Sequence, residues 1–351
     1  MKEKLQKSFY ISLTIVALNS CVGDNPEPIL EGVFDNGYFV TNEGNFLSGN
    51  GSITYISYDG SVENEIFSKI NSFPLGDVVQ SMNIIDEFAY IIVNNSSKIE
   101  VAEIDSLTSH KTIYGFISPR YMIKVNESKA YVSDWGINGL QIIDLNTQEI
   151  TGTISTGTGP EKMTISNGYV YVCNVGGWGL DNTISVIDIE SDMIISTLNV
   201  EDKPNSIVTD INGDIWVLSG GHTEYDANFN VISETPGGLI HISDNQILNT
   251  YLYPIGNHPE DLSINSNGTI LYYSDGNFSK SVYKFNINDS EVSTIPFINK
   301  SFYGLDYSNG YIYGTDAVDF SQRGWSYRFS ENGNLVDSVQ VGITPGGYCF
   351  N

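Results

Sequence analysis

The chain has 351 residues, among them 34 glycines, 22 tyrosines and 16 phenylalanines but only six alanines. Alanine is the best helix former and aromatic residues favour strands, so this composition excludes a mainly helical protein. The 16 basic and 42 acidic residues give a net charge of −26, which excludes binding to nucleic-acid phosphates or anionic lipids through a basic surface.

Residues 1–20 have the pattern of an export signal. Three lysines come before an apolar run at positions 11–18, and a small polar stretch follows it. The run is too short to span a bilayer as a stable helix, and the later sequence contains no stretch of about 18 apolar residues. We therefore predict a secretory leader and no transmembrane helix.

The leader ends in Leu18-Asn19-Ser20-Cys21, and a leucine three positions before a cysteine is similar to the lipobox of bacterial lipoproteins. This predicts cleavage before Cys21 and lipidation of its thiol; a plain signal peptide with a cysteine nearby is the alternative. Residues 21–31 would then be a short tether containing proline, and loss of residues 1–20 would leave a net charge of −28.

The remaining sequence repeats one unit of short apolar or alternating segments, which is the periodicity of strands. Each unit has a strand that ends in Asn or Asp, with one serine, and the spacings are 52, 40, 40, 45, 56 and 41 residues. Periods near 40 to 45 with four strands are typical of propeller blades, and insertions lengthen some of them. The strand-ending residues are Asn42, Asn94, Asp134, Asn174, Ser219, Asp275 and Asp316.

The two ends of the repeat region complete one another. Residues 341–351 begin a unit and stop after its first strand, whereas residues 37–69 begin at the second strand. Pairing the two closes a ring and removes an exposed sheet edge. We therefore predict an all-β fold in which residues 32–351 form a single seven-bladed β-propeller of four-stranded blades. Cys173 and Cys349 fall in separate blades and should be buried free thiols.

The loops that follow the second strands, together with the turns between blades, should emerge on one face of the ring. Aromatic side chains recur there among Asn, Asp and Gly, which favours a platform for a small ligand; capping of the blade beneath is the alternative for each aromatic. The candidate ligand-binding residues are Phe46, Arg120, Trp135, Asn138, Trp178, Asp181, His258, Phe278, Tyr303, Arg323 and Trp325.

The sequence contains no signature of catalysis or of a resident metal. The strand-ending Asn and Asp residues suit backbone hydrogen bonding better than a ring of metal ligands. The four histidines lack zinc-ligand spacing, and neither a Rossmann or P-loop glycine motif nor a nucleophile elbow occurs. We therefore expect a protein that is not an enzyme and holds no cofactor. Whether a cation binds in the central channel is left open by the sequence.

Several motifs together resemble the YncE-like seven-bladed propeller lipoproteins found on the surface of some Gram-negative bacteria. They are the lipobox, Glu-Gly-Asn-Phe at 43–46 followed by GSITYIS, the proline turns, and the closing TPGGYCF. BtuG-like members of that family bind cobalamin above a TonB-dependent outer-membrane transporter. The resemblance implies an outer-membrane, cell-surface location and capture of a nutrient, and it assigns no contact residue.

The leading hypothesis is thus a lipid-anchored surface protein that binds a corrinoid and passes it to a TonB-dependent transporter. Carbohydrate would satisfy the same mixture of aromatic and polar residues. Two further alternatives remain open at this point. One is a scaffold that binds another protein through the same rim, and the other is a propeller lactonase or hydrolase that depends on a divalent cation.

Overall fold

The computed structural model describes residues 34–276 and 280–351. These residues form seven radial β-sheets, and the first strand of each sheet packs against the first strands of its two neighbours around a complete circuit. The fold is therefore an all-β, seven-bladed propeller, which confirms the prediction. The innermost strands surround a central channel, and the outermost strands form the rim of the ring.

Blades 1 to 3 occupy the first part of the chain. Blade 1 contains β1 (Gly37–Asn42), β2 (Ser52–Ser57) and β3 (Val62–Glu63), followed by helix α1 (Ile66–Asn71). Blade 2 contains β4 (Val79–Ile85), β5 (Phe88–Val93), β6 (Lys98–Glu103) and β7 (Ser109–Tyr114). Blade 3 contains β8 (Pro119–Asn126), β9 (Lys129–Asp134), β10 (Gly139–Asp144) and β11 (Glu149–Ser155).

Blades 4 and 5 follow the same plan, with one insertion. Blade 4 contains β12 (Pro160–Ser166), β13 (Tyr169–Asn174), β14 (Thr183–Asp188) and β15 (Met193–Asn199). Blade 5 begins with β16 (Pro204–Thr209) and β17 (Ile215–Ser219). A separate hairpin, β18 (His222–Tyr225) and β19 (Val231–Thr235), comes before its outer strands β20 (Gly238–Ser243) and β21 (Gln246–Leu252).

Blades 6 and 7 complete the circuit. Blade 6 contains β22 (Glu260–Ile264), β23 (Ile270–Asp275) and β24 (Ser281–Asn286). Blade 7 contains β25 (Gly304–Ser308), β26 (Tyr311–Asp316), β27 (Arg323–Ser330) and β28 (Leu335–Ile343), and the last strand, β29 (Pro345–Phe350), returns to blade 1.

Burial explains the sequence pattern of each blade. The second strands are buried on both faces because each sheet is sandwiched between two neighbours: every residue of β1 is buried, and so are all but the first of β13. They therefore read as continuous apolar runs. The outermost strand β15 has no buried residue because its edge faces water.

Ring closure occurs as predicted. Strand β29 lies antiparallel beside β1, with Phe350 opposite Tyr38 and Cys349 opposite Phe39. Pairing of the two chain ends covers the inner edge of β1 and completes the sheet of blade 1. Cys173 and Cys349 are both buried free thiols, as expected, and burial raises the pKa of Cys349 to about 12.

Two of the residues that end second strands, Asp134 and Asn42, bond to the backbone as predicted. The buried Asp134 carboxylate accepts hydrogen bonds from the backbone N–H groups of Ser118 and Gly136, both at 2.8 Å. The amide oxygen of Asn42 accepts one from the Gly342 N–H at 2.9 Å. In these two blades the bonds join the end of the second strand to the chain that leads into the same blade, as expected for a short polar residue at this position.

Three features depart from the predicted plan. Blade 1 has an outer strand of two residues followed by α1, blade 5 carries the hairpin β18–β19, and blade 6 has three strands in its described part. An isolated bridge between Val282 and Ile298 takes the place of a fourth strand in blade 6. No helix within the described ranges has the length and apolar character needed to cross a membrane.

Candidate functional site

The innermost strands begin with an irregularity that directs polar side chains into the mouth of the channel. The ladder between first and second strand shifts register at this point in blades 2 to 6. A β-bulge of this kind turns side chains away from the regular pleat. The residues that the shifted segments bring to the mouth are Gln80, Arg120, Tyr121, Glu161, Lys162, Asn205 and Asp261.

These side chains line a cavity of about 620 Å³, which we call the mouth cavity. Its rim carries Phe46, Trp135, Tyr303 and Phe320. A second cavity of about 460 Å³ occupies the channel beneath it, and residues such as Lys162 line both. The site is therefore a polar funnel with aromatic side chains at its entrance, within the size range of small-molecule pockets.

A hydrogen-bonded array fixes one side of the mouth cavity. Arg120 donates to the carboxylate of Glu161 through Nε at 3.0 Å and Nη2 at 2.8 Å, and its Nη1 donates to the side-chain oxygen of Gln80. The indole N–H of Trp135 donates to the same Glu161 carboxylate at 2.7 Å. The guanidinium also lies 4.2 Å from the centre of the Trp135 ring, so a cation–π contact adds to the array.

A second charged pair lies deeper in the mouth. The Lys162 ammonium is 3.6 Å from a carboxylate oxygen of Asp261. Burial raises the pKa of Asp261 to about 6, while the nearby Lys162 opposes that rise. The Asp261 carboxyl therefore takes up a proton at a higher pH than an ordinary aspartate.

The opposite side of the mouth combines a carboxylate with aromatic rings. The hydroxyl of Tyr303 donates to Glu43 at 3.2 Å, and burial raises the pKa of both groups. Phe320 packs edge-to-face on Tyr303, with ring centres 5.3 Å apart. Phe46 is 69% exposed at the rim, which leaves its ring free to contact a ligand.

The structure brings together four of the eleven residues proposed from sequence. Phe46, Arg120, Trp135 and Tyr303 all line the mouth cavity. Trp178 packs edge-to-face on Trp135, with ring centres 5.9 Å apart, and extends the aromatic rim outward. Phe278 lies outside the described residues.

Two further candidates have side chains engaged in shaping loops. The Asn138 amide oxygen accepts a hydrogen bond from the Gly159 N–H at 3.1 Å. The Asp181 carboxylate accepts from the N–H groups of Thr158 at 2.7 Å and Thr183 at 2.9 Å. Neither residue lines the mouth cavity, and their contacts hold the loops around it.

The last three candidates lie at separate places. His258 lies beneath the β18–β19 hairpin and lines a cavity of about 530 Å³, which we call the hairpin cavity. Arg323 lines a different cavity of about 370 Å³ beside α1, where its Nε donates to the Val341 carbonyl at 2.9 Å. Trp325, on β27, is 36% exposed and lines none of these cavities.

Sequence reasoning did not single out Val78, Gln80 or Lys203, although all three line the mouth cavity. Blade 2 has Val79 where most blades have the proline that marks the first strand, so the repeat pattern concealed Gln80. Lys203 directly precedes Pro204. Alignment of the positions next to each turn proline, beyond the loops themselves, would have identified it.

One cluster away from the mouth has residue types that bind metals. Ligand atoms of Asp210, Asp214 and His241 lie within 4.8 Å of one another. They already bond within the protein: Asp210 accepts from the Trp216 indole N–H at 3.0 Å, and Asp214 is 2.9 Å from Nε2 of His241. The His241 ring also stacks on Trp216 with ring centres 4.3 Å apart, so these contacts account for the cluster as part of the blade 5 core.

The protein is thus a seven-bladed β-propeller with a preformed polar funnel at one end of its channel. The chain belongs to the family described as Domain of unknown function (DUF5074), whose model matches residues 36–316. No curated protein sequence matches the chain.

Solved structures share the fold at low sequence identity. A quinonprotein alcohol dehydrogenase-like protein of Bacteroides thetaiotaomicron is 14% identical with a TM-score of 0.64, covering 90% of this chain and 78% of that one. The periplasmic gluconolactonase PpgL of Pseudomonas aeruginosa is 10% identical with a TM-score of 0.64, covering 89% and 98%. Hydrazine synthase of Kuenenia stuttgartiensis is 11% identical with a TM-score of 0.59, covering 79% and 92%. At these identities the likeness concerns the fold alone.

Proposed function

We propose that this protein captures a small ligand at the mouth of its propeller, that the ligand is a corrinoid such as cobalamin, and that it is passed to an outer-membrane TonB-dependent transporter. The observation that carries the proposal is the combination of exposed aromatic rings with a polar cavity beneath them.

The aromatic rim has more exposed apolar surface than folding requires. Trp178 is 76% exposed, Phe46 69% and Phe320 52%, and all three lie around one opening. Isolated exposed hydrophobic residues are normal on a protein surface, whereas a group of large aromatic rings around a cavity is typical of a recognition site. A ligand with a broad apolar face would cover these rings and remove them from water.

The floor beneath the aromatic rim offers both hydrogen-bond acceptors and hydrogen-bond donors. Glu43, Glu161 and Asp261 supply acceptors, whereas Arg120 and Lys162 supply donors. A corrin macrocycle combines a broad apolar surface with a fringe of amides, which matches this arrangement. A sugar also combines a stacking face with hydrogen-bonding groups, so the binding experiment includes both classes.

The site is held in place before any ligand binds. The array of Arg120, Glu161 and Trp135 joins blades 3 and 4, and the pair of Lys162 and Asp261 joins blades 4 and 6. A preformed site loses less conformational entropy on binding than a flexible one, which favours tight capture. Scavenging of a scarce nutrient requires such tight binding.

Calorimetric titration of residues 31–351, which form one compact unit, with cyanocobalamin tests the binding step. We expect saturable binding at micromolar or lower concentration. A panel of mono- and oligosaccharides titrated in parallel tests the other ligand class. Absence of cyanocobalamin binding at micromolar concentration would remove the corrinoid assignment, and saturation by a sugar would replace it.

The cellular role depends on the leader, whose residues lie outside those described. Metabolic labelling with radioactive palmitate tests whether Cys21 carries lipid. We expect label in the intact chain and none in Cys21→Ala, and surface digestion of whole cells tests display at the exterior. Equal labelling of the two proteins would contradict the lipid anchor, while the proposed binding step would be unaffected.

A further inference from the structure

Lys203 lines both the mouth cavity and the hairpin cavity. Val175, Asn205 and Glu260 also line both cavities, so the two form one groove that runs from the channel mouth to the hairpin β18–β19. Lys203 thus lies where the two halves of the groove meet.

The backbone of Lys203 is fixed by the two loops on either side of it. Its N–H donates to the Asp181 carbonyl at 2.9 Å, and its own carbonyl accepts from the Gly220 N–H at 2.9 Å. Lys203 has a left-handed conformation with φ of 56°. The same handedness recurs before the first strands at Val78, Gly159 and Thr344, so it is a feature of the repeat.

What distinguishes Lys203 from these counterparts is its charge. Val78 and Thr344 also line the mouth cavity, but neither side chain is charged, and Gly159 has no side chain. The residue that precedes the first strand therefore faces the groove in several blades. Of the four blades compared, only blade 5 has a cationic residue at this position.

The neighbouring cations of the groove are all paired with carboxylates. Arg120 binds Glu161, Lys162 lies near Asp261, and Lys280 lies 2.5 Å from Glu260. By contrast, no carboxylate among the described residues lies within 4.0 Å of the Lys203 ammonium, and no hydrogen bond to it is formed within the described ranges. Its charge is thus available to a ligand.

The charge of the whole chain makes this concentration of cations notable. Thirteen basic residues follow position 20, and four of them line the groove in a protein of net charge −26. An anionic ligand is repelled by the protein as a whole, so its capture needs a local uncompensated cation. Lys203 supplies one at a point where water is partly excluded, which strengthens the attraction.

We propose that Lys203 binds an anionic group of the ligand, a phosphate or a carboxylate, while the ligand's apolar face covers the aromatic rim. The proposal rests on the ligand-capture function above and defines the chemistry of that ligand. A lysine ammonium binds phosphate as a compact charge with three donors. Cyanocobalamin carries a phosphodiester and therefore meets this requirement, whereas a neutral sugar does not.

Nuclear magnetic resonance of residues 31–351 carrying ¹³C-labelled lysines tests the anion subsite without any organic ligand. Inorganic phosphate is titrated at constant ionic strength, and the spectrum of Lys203→Gln assigns the signal of Lys203. Lys69, on α1, pairs with Glu63 and lines neither half of the groove, so it is the matched reference. We expect a saturable shift at Lys203 that exceeds the shift at Lys69. Equal or smaller shifts at Lys203 would overturn the proposal.

A pair of corrinoids then distinguishes the subsite from the function on which it rests. Cyanocobalamin has the phosphodiester, whereas dicyanocobinamide lacks it. In Lys203→Gln we expect the affinity for cyanocobalamin to fall about tenfold, with the affinity for dicyanocobinamide unchanged. Lys69→Gln should bind both like the parent.

Failure of the anion subsite and failure of the capture function give different results in these experiments. Equal loss of both corrinoids, or loss of neither, in Lys203→Gln would overturn the anion subsite while the capture function stands. If the parent binds neither corrinoid, the corrinoid assignment fails, and the phosphate titration alone decides the subsite. In that case 6-phosphogluconate and gluconate distinguish a phosphate from a carboxylate as the group that is bound.

Discussion

Arg120 of blade 3 and Glu161 of blade 4 form a two-bonded ion pair across the mouth, with N to O distances of 3.0 and 2.8 Å. Both side chains are mostly buried, at 17% and 9% exposure. The same carboxylate accepts the Trp135 indole N–H. The pair thus joins two blades and at the same time sets the orientation of a ring that lines the cavity.

The first prediction concerns this pair. Glu161→Ala leaves the Arg120 charge buried without a carboxylate, so we expect the free energy of unfolding to fall by about 3 kcal/mol in urea denaturation. Asp86→Ala, which removes the exposed partner of Lys124 at 2.8 Å, is the control and should cost less than about 1 kcal/mol. Similar losses in the two variants would show that the mouth pair does not hold blades 3 and 4 together.

The second prediction concerns the aromatic rim. Trp135→Ala and Trp178→Ala remove two rings that contact one another at the opening, so we expect each to weaken ligand binding by about tenfold or more in titration. Trp325→Ala is the matched control because Trp325 lies away from the mouth lining. A loss in Trp325→Ala equal to the others would extend the site beyond the mouth cavity.

The third prediction concerns the hairpin β18–β19. His258 donates through Nδ1 to the Gly220 carbonyl at 2.7 Å, and its Nε2 lies 3.0 Å from the Thr223 hydroxyl. Removal of these bonds should loosen the hairpin base. We therefore expect His258→Ala to increase amide hydrogen exchange about tenfold across residues 222–235, with exchange elsewhere unchanged.

His110→Ala controls for loss of a histidine, since His110 is exposed on β7. Unchanged exchange of the hairpin in His258→Ala would contradict the anchoring role.

The fourth prediction concerns pH. The pKa of Asp261 is about 6 in the folded protein against an ordinary value near 3.8, so between these values the folded state holds more protons than the unfolded state. The stability contributed by this carboxyl therefore falls as pH rises through that window. We expect the stability of the parent to fall relative to that of Asp261→Asn between pH 4.5 and 6.5 in urea denaturation.

Asp188→Asn is the control for this pH series. Hydrogen bonds from Ser191 hold the pKa of Asp188 below its ordinary value, so its stabilising effect is lost only as pH falls below that value. The control should show no relative slope in the same window. A flat difference between parent and Asp261→Asn would indicate an ordinary pKa for Asp261.

The seven blades could be predicted because one sequence feature recurs in each of them. A short polar residue ends or directly follows every second strand, and in blades 3 and 1 Asp134 and Asn42 accept hydrogen bonds from backbone N–H groups; this recurrence marks the period in the sequence. Closure could be predicted because residues 341–351 and 37–69 are complementary fragments of one unit. The hairpin β18–β19 could not, because its strands are short and separated from the blade pattern.

The site could be predicted only in part. Large side chains on loops, such as Trp135 and Phe46, stand out in the sequence because exposure of an aromatic ring requires a reason. Gln80 and Lys203 did not stand out, because they come to line the same cavity only through a bulge and a turn in separate blades. Pairing among charges also depends on geometry, so the sequence gives no indication that Lys203 differs from Lys162.

The most direct test of the account is a crystal structure of residues 31–351 with cyanocobalamin. We predict that the corrin ring lies over the mouth cavity against Trp135 and Phe46, with the phosphodiester facing Lys203. Density for the ligand at another face of the ring, or the corrinoid bound with its phosphodiester directed away from Lys203 and toward solvent, would contradict the account.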